Sequence, residues 1–200
     1  ANQMSASLVG SEMCIRDSKM TKNEFKMLVV SDSHGDRKIL ENLLNHYQKK
    51  IDLFIHCGDS ELPETDKLFE TYQVVAGNCD YDSAFKSDQL ILYENERIWI
   101  THGHHYQVNF GLERLALAAR QQRADFCFFG HTHQLGFEMH NNCLFLNPGS
   151  ISLPRGNYAN LGGTYAIVTV NPQAIGIQYY KRNFQPVTEL RGHFKKFREK

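Results

Sequence analysis

The sequence predicts a single α/β domain built as a four-layer α-β-β-α sandwich, with two mixed sheets packed face to face and helices outside. Three observations lead there. The 200 residues, 42% of them apolar, fill one core and divide poorly into two. The first half alternates strand-like runs with helical periodicity, the mark of parallel βαβ units. The second half is dominated by paired strand-like runs and reads as mostly antiparallel. One large mixed sheet fits the same pattern, because periodicity does not say which face meets which.

Regular structure begins near Phe25. K-M-L-V-V forms a first strand ending at Ser31, and Asp36 then caps a helix whose apolar positions Ile39, Leu40, Leu43, Leu44 and Tyr47 recur at helical spacing. D-L-F-I-H from Asp52 is the second strand. A short helix around Asp66 to Tyr72 and a third strand, Gln73 to Ala76, extend the sheet. Gln89 to Ile100 reads as a hairpin turning at Glu94-Asn95. An amphipathic helix follows from Phe110 to Gln122, its apolar face supplied by Leu112, Leu115 and Leu117 through Ala119. D-F-C-F-F is a buried strand, F-E-M-H-N-N-C-L-F-L a hairpin turning at Asn141-Asn142, and T-Y-A-I-V-T-V with A-I-G-I-Q-Y-Y a final pair. The basic stretch Arg191 to Lys200 interleaves Phe194 and Phe197 with positive charge and reads as a frayed helix or tail, with nucleic-acid contact as the alternative.

Bulk electrostatics exclude some partners. With 22 Lys+Arg against 22 Asp+Glu, neither a nucleic acid nor an anionic membrane surface is expected as the main partner. No apolar run approaches the roughly 18 residues a membrane span needs. The five cysteines are an odd set without C-x-x-C spacing, and three lie in or beside apolar runs, as buried thiols do in a reducing compartment. With no apolar core of a secretion signal near the N-terminus, a cytoplasmic protein is expected. Residues 1–19 fit neither periodicity and precede Met20. They contain S-L-V-G-S-E-M-C-I-R-D-S, which resembles an adaptor-derived segment, so they are set apart from a domain spanning 20–200; a disordered tail that docks is the alternative.

Polar residues of metal-binding type gather at the strand ends. S-D-S-H-G-D supplies Asp32 and His34, H-C-G-D supplies Asp59, G-N-C-D supplies Asn78, T-H-G-H-H supplies His102 and His104, and G-H-T-H supplies His131 and His133. Ligands of open α/β sheets collect beyond the carboxyl ends of strands, so these clusters converge on one crevice. Singly, each has an ordinary explanation as a capping carboxylate, turn former or surface histidine. Five such clusters, each beside a glycine that admits close backbone approach, do not. Carboxylate, amide and imidazole without thiolate suit a borderline-to-hard divalent ion. Seven ligands exceed one ion. If a carboxylate bridges, they make two sets, with ions about 3.5–4 Å apart.

The ordered motifs D-x-H, G-D, G-N, H-G-H and G-H-T-H resemble the calcineurin-like metallophosphoesterase superfamily over Met27 to about Arg182, and most nearly its small bacterial phosphodiesterases of the YfcE type. The resemblance implies one metal held by Asp32, His34, Asp59 and His133, and a second by Asp59, Asn78, His102 and His131, with Asp59 bridging. The cofactor it implies is a pair of divalent ions, manganese first, with iron, zinc or nickel as alternatives. Four positive charges less two aspartates leave room for a phosphodiester monoanion and a hydroxide together. The expected reaction is phosphodiester hydrolysis, in which a hydroxide bridging the ions attacks phosphorus in line and no covalent enzyme intermediate forms.

Many members of that superfamily carry histidine where Cys79 stands. A thiol without a basic neighbour stays protonated and is a poor acid, so Cys79 is expected to be neither nucleophile nor ligand. His104 and His105 are the candidates to replace the missing acid, with His104 assigned to catalysis and substrate binding beside Asp59 and Asn78; a role in orienting a ligand, or plain solvent exposure, is the alternative for either. Asp80 is expected to orient a ligand. Asn147-Pro148-Gly149-Ser150 resembles the family's N-P-G-S turn and is expected to shape the site's floor, while Arg155 is a candidate substrate-phosphate contact, with a solvated loop arginine as the alternative. The expected partner is a small phosphodiester, with a homodimer or higher homo-oligomer open. A phosphomonoesterase or dinucleotide polyphosphate hydrolase, and a non-catalytic protein-binding scaffold on the same fold, are the competing functions. Intact ligand sets argue against the scaffold.

Overall fold

The computed structural model describes residues 24–81 and 83–196, so Cys14, Phe197 and the separate reading of residues 1–19 lie outside the described residues. The first half folds as its periodicity predicts. Strand β1 (Phe25–Val30), helix α1 (Arg37–Tyr47) and strand β2 (Leu53–His56) form a βαβ unit whose strands pair in parallel, Val29 opposite Ile55. The Asp36 carboxylate accepts from Ile39 N at 3.2 Å, which caps α1. Ile39, Leu40, Leu43 and Tyr47 are buried against the sheet. The expected short helix is a single 3₁₀ turn, Lys67–Glu70, and strand β3 is Tyr72–Val74.

Strands β4 (Asp88–Tyr93) and β5 (Glu96–Thr101) form the expected hairpin, with Glu94 and Asn95 both at positive φ. Helix α2 (Glu113–Gln121) begins three residues later than expected and buries Leu115 and Ala119. Leu117 lies nearly opposite on the helix, two residues or about 200° away. It is exposed rather than part of the apolar face. β6 (Phe126–Phe128), β7 (Gly136–His140) and β8 (Cys143–Asn147) follow, and then β9 (Thr164–Val170), β10 (Ala174–Lys181) and β11 (Pro186–Lys195).

Two sheets result, ordered β11-β10-β9-β1-β2-β3 and β4-β5-β6-β8-β7. A core including Val29, Ile55, Ile98, Phe126, Leu144 and Val168 lies between them. α1 covers the outer face of the first sheet and α2 that of the second, which gives the four layers. Both sheets are mixed. The expectation of a mostly antiparallel second half holds for β9 to β11 but not for the centre of the second sheet, where β5, β6 and β8 pair in parallel.

The C-terminal stretch needs a larger correction. Residues through Lys195 are the edge strand β11, paired with β10, and not a frayed helix or tail. Its pairing register shifts opposite Gln178 to Tyr180, so Val187 and Leu190 are both buried although three residues apart. That bulge breaks the alternation by which a strand is read from sequence. Gln178 Nε2 donates to the carbonyls of Val187 and Leu190, at 2.7 and 3.3 Å, and satisfies the irregular backbone.

Candidate metal centre

The strand ends meet as expected. Among the described residues, ligand atoms of Asp32, His34, Asp59 and His133 lie within 4.8 Å of one another and can hold a metal ion. Asn78 and His102 flank them: His102 Nε2 is 3.1 Å from Asn78 Oδ1 and 3.3 Å from Asp59 Oδ2. The His131 ring centroid is 5.2 Å from that of His102. Asp32, His34, Asp59, His131 and His133 all have positive φ, between 44° and 68°. Such backbone costs about 1 kcal/mol or more at each non-glycine position and persists where function over-determines it. The neighbouring glycines admit the close approach this demands. A Cβ on Gly77 would strike the Asp59 carboxylate and backbone, and one on Gly130 would strike Ser31 and Asp32.

Hydrogen bonding fixes the tautomers. Nδ1 of His102 lies 2.7 Å from the Cys57 carbonyl, Nδ1 of His133 lies 2.7 Å from the Leu153 carbonyl, and Nδ1 of His34 lies 2.7 Å from Glu61 Oε1. Each partner accepts, so Nδ1 is the nitrogen that carries the proton of the neutral ring, and each Nε2 is turned inward, where it can bind a metal once it holds no proton. The Nε2 atoms of His34 and His133 then face each other at 3.3 Å. Asp32 is fully buried, neither of its oxygens has a hydrogen-bond partner among the described residues, and His133 Nε2 stands 3.2 Å from Oδ1. Ring nitrogens crowded against a buried carboxylate without hydrogen bonds are unfavourable unless positive charge, a proton or a metal cation, lies among them. The residues present therefore fit divalent metal.

Electrostatics state the same demand through protons. Burial opposes charge on His102 and His133, but Asp59 and Asp32 outweigh it and raise both pKa values. Burial would likewise raise Asp59, yet His102 and the Cys79 N–H, 2.7 Å from Oδ1, hold its carboxyl well below the usual range. His131 is lowered, by burial and by His102. His104 is lowered to about 4 by burial and the surrounding histidines, and its buried Nδ1 has no partner among the described residues. Burial and Asp59 push the Cys79 thiol up to about 11, although it stands close enough to His34 and Glu61 to share an ion with them.

Supporting residues complete the centre. The Asp80 carboxylate accepts from the backbone N–H of Asp59, Gly77 and Glu61 and from the Ser60 hydroxyl, at 2.7 to 3.0 Å. Ser150 Oγ donates to the Asp32 carbonyl, and Asn147 Nδ2 to the Gly130 carbonyl, so the N-P-G-S turn braces two ligand loops. Arg155 joins by its backbone, whose N–H donates to the His133 carbonyl, while its side chain is exposed at the rim. Three contributors were not singled out from sequence: Glu61, Asn109 (Nδ2 2.9 Å from His131 Nε2) and His56, buried 3.0 Å from Ser33 Oγ. His56 is the first residue of H-C-G-D and Glu61 stands two residues after it, a signal present but unspecific; Asn109 lies in a loop with none.

Comparison with known proteins agrees with this geometry. The calcineurin-like phosphoesterase superfamily domain matches residues 25–173. The chain is 36% identical over 164 residues to the probable metallophosphoesterase YsnB of Bacillus subtilis, covering 82% of this chain and 95% of that one. It is 29% identical over 185 residues to the phosphodiesterase YfcE of Escherichia coli, covering 75% and 95%. A conserved uncharacterized protein of Streptococcus pneumoniae, a predicted phosphoesterase, superposes with a TM-score of 0.83 at 33% identity, over 86% of this chain and 98% of that one. Vps29 of Entamoeba histolytica complexed with zinc shares the fold at 22% identity, with a TM-score of 0.65 over 86% and 99%. On the match across most of its length, the chain belongs to the calcineurin-like phosphoesterase superfamily, as a metal-dependent phosphoric ester hydrolase.

Proposed function

We propose that this protein is a phosphodiesterase dependent on two divalent ions, manganese first among them. Asp32, His34, Asp59 and His133 hold one ion, Asn78, His102 and His131 hold the other with Asp59, and Asp59 bridges. The observation that carries the reading is the meeting of the His34 and His133 Nε2 atoms at 3.3 Å beside the buried Asp32 carboxylate, whose oxygens have no hydrogen-bond partner among the described residues. When bound, such ions act as Lewis acids toward phosphoryl oxygens and bring the pKa of water toward neutrality.

The chain's own residues set the rest. Glu61 and the carbonyls of Cys57 and Leu153 lock the rings of His34, His102 and His133, so that no reorganisation is needed as substrate arrives. The Asn78 amide and the neutral ring of His104 are the hydrogen-bonding contacts to phosphate oxygens, and Arg155 is the outer one. Neither Cys79 nor His104 carries a readily released proton at neutral pH, since one thiol is held too basic and one imidazole too acidic. Esters whose leaving group departs without protonation are therefore preferred. One domain spans 20–200, with 1–19 apart, and the substrate is small.

The test is hydrolysis of bis(p-nitrophenyl) phosphate against p-nitrophenyl phosphate by chelator-stripped protein, with and without Mn²⁺. Metal-restored cleavage favouring the diester is expected. Preference for the monoester would point to a phosphomonoesterase, and a folded protein inert with every divalent ion would point to a scaffold.

A further inference from the structure

A groove of about 440 Å³ lies beside the metal centre on the outer face of the second sheet. None of the ligand assignments uses it. Its floor is apolar, formed by Val108, Leu112, Phe129 and Phe145. Its inner end is polar and reaches the centre itself, since Asn109 Nδ2 stands 2.9 Å from His131 Nε2. Thr132, between the two histidines of G-H-T-H, also lines it, and its hydroxyl accepts from Asn147 Nδ2 at 3.1 Å. Among the described residues that line the groove, Glu138 on β7 is the only charged one, and none is a lysine or arginine. Phe110, next in sequence to the lining residue Asn109, is 90% exposed.

We propose that this groove holds one organic arm of the substrate phosphodiester and selects a neutral, flat, partly apolar arm of aryl or nucleoside size. The inference rests on the phosphodiesterase reading above. The groove falls within the roughly 300–1,000 Å³ range of small-molecule sites, and its apolar floor with polar edges is the usual composition of one. Charge sets the exclusion. A groove with one carboxylate and no cation repels an anionic arm, so a polyphosphate chain does not enter it. The contact of Asn109 with His131 joins the arm's pocket directly to the phosphate's.

Gly136 provides the test. It lines the groove, its φ is not positive, and a Cβ built there meets nothing within 4 Å, so Gly136→Phe fills the space without backbone strain. Phenyl p-nitrophenyl phosphate and methyl p-nitrophenyl phosphate share a leaving group and differ only in the retained arm. In the native chain with Mn²⁺, kcat/KM should favour the phenyl ester by at least about tenfold, the scale on which an apolar pocket discriminates. Gly136→Phe should collapse that ratio, mainly through KM. An unchanged ratio in the variant, or no preference in the native chain, would overturn the proposal. Calorimetric binding of diphenyl against dimethyl phosphate to both proteins separates the two inferences. If neither ester is cleaved, the phosphodiesterase reading fails; the groove survives if diphenyl phosphate binds and Gly136→Phe weakens it, and fails if it does not.

Discussion

Asp80→Ala should loosen the metal centre without touching a ligand. The carboxylate accepts four hydrogen bonds, from Asp59 N and Gly77 N on Oδ2 and from Glu61 N and Ser60 Oγ on Oδ1. Asp59 and Gly77 are buried, whereas Glu61 is exposed and its N–H can turn to water. Two stranded N–H groups at about 1–3 kcal/mol each, partly relieved by water, give a loss of ~2–3 kcal/mol. For a chain of this size that lowers Tm by roughly 4–12 °C. Because Asp80 holds the backbone of Asp59, metal affinity should fall about 10–100-fold, as for other residues that orient ligands. Asp80→Asn should rescue it in part: the amide oxygen can accept from the buried Asp59 and Gly77 N–H groups while the NH₂ donates to the Ser60 hydroxyl, which leaves only the exposed Glu61 N–H opposed. Thermal unfolding of chelated protein and calorimetric Mn²⁺ titration read the two effects separately. A Tm within about 1 °C of native, with unaltered affinity, would refute the argument.

Further outcomes follow from the same site. Asp59→Asn should abolish activity and release at least one ion per chain, read by elemental analysis; near-normal turnover with two bound ions would contradict a bridging role. Cys79→Ser should keep most activity, and a thousandfold fall would show that the thiol takes part. Cys79→His should improve hydrolysis of esters with poor leaving groups, seen as a shallower dependence of rate on leaving-group pKa. Metal binding should weaken as pH falls. His102 and His133 have raised pKa values, so they hold protons to higher pH than an ordinary imidazole, and metal must displace them. Affinity for Mn²⁺ should drop on the order of tenfold per pH unit for each proton displaced, measured calorimetrically between about pH 8 and about pH 6. An affinity flat over that range would refute it.

The metal-binding residue types were legible because each is local to a strand end. Asp32, His34, Asp59, Asn78, His102, His131 and His133 all lie in short motifs beside glycine, and a strand's direction alone says they emerge at one edge of a sheet. Their support was not legible. Glu61 bonds His34 across 27 residues and Asn109 meets His131 across 22. Neither residue type is unusual where it stands, so nothing marks the pairing until the chain is folded. Asp80 is the exception, since a carboxylate closing G-N-C-D already suggested an orienting role.

Periodicity determined which segments are strands and helices wherever one face is buried, as in α1 and the two hairpins with left-handed turns at Glu94-Asn95 and Asn141-Asn142. It failed where the repeat is interrupted or ambiguous. β11 hides behind a bulge, Leu117 follows an apolar run on to the exposed side of α2, and the parallel pairing of β6 with β5 and β8 depends on a crossover that no local pattern encodes. Motif chemistry named the candidate ligands. The tertiary structure alone decided that the Nε2 atoms of these imidazoles turn inward and that a groove whose described lining holds one carboxylate and no cation opens beside them, because hydrogen-bond partners and surface concavity arise only when segments distant in sequence are packed together.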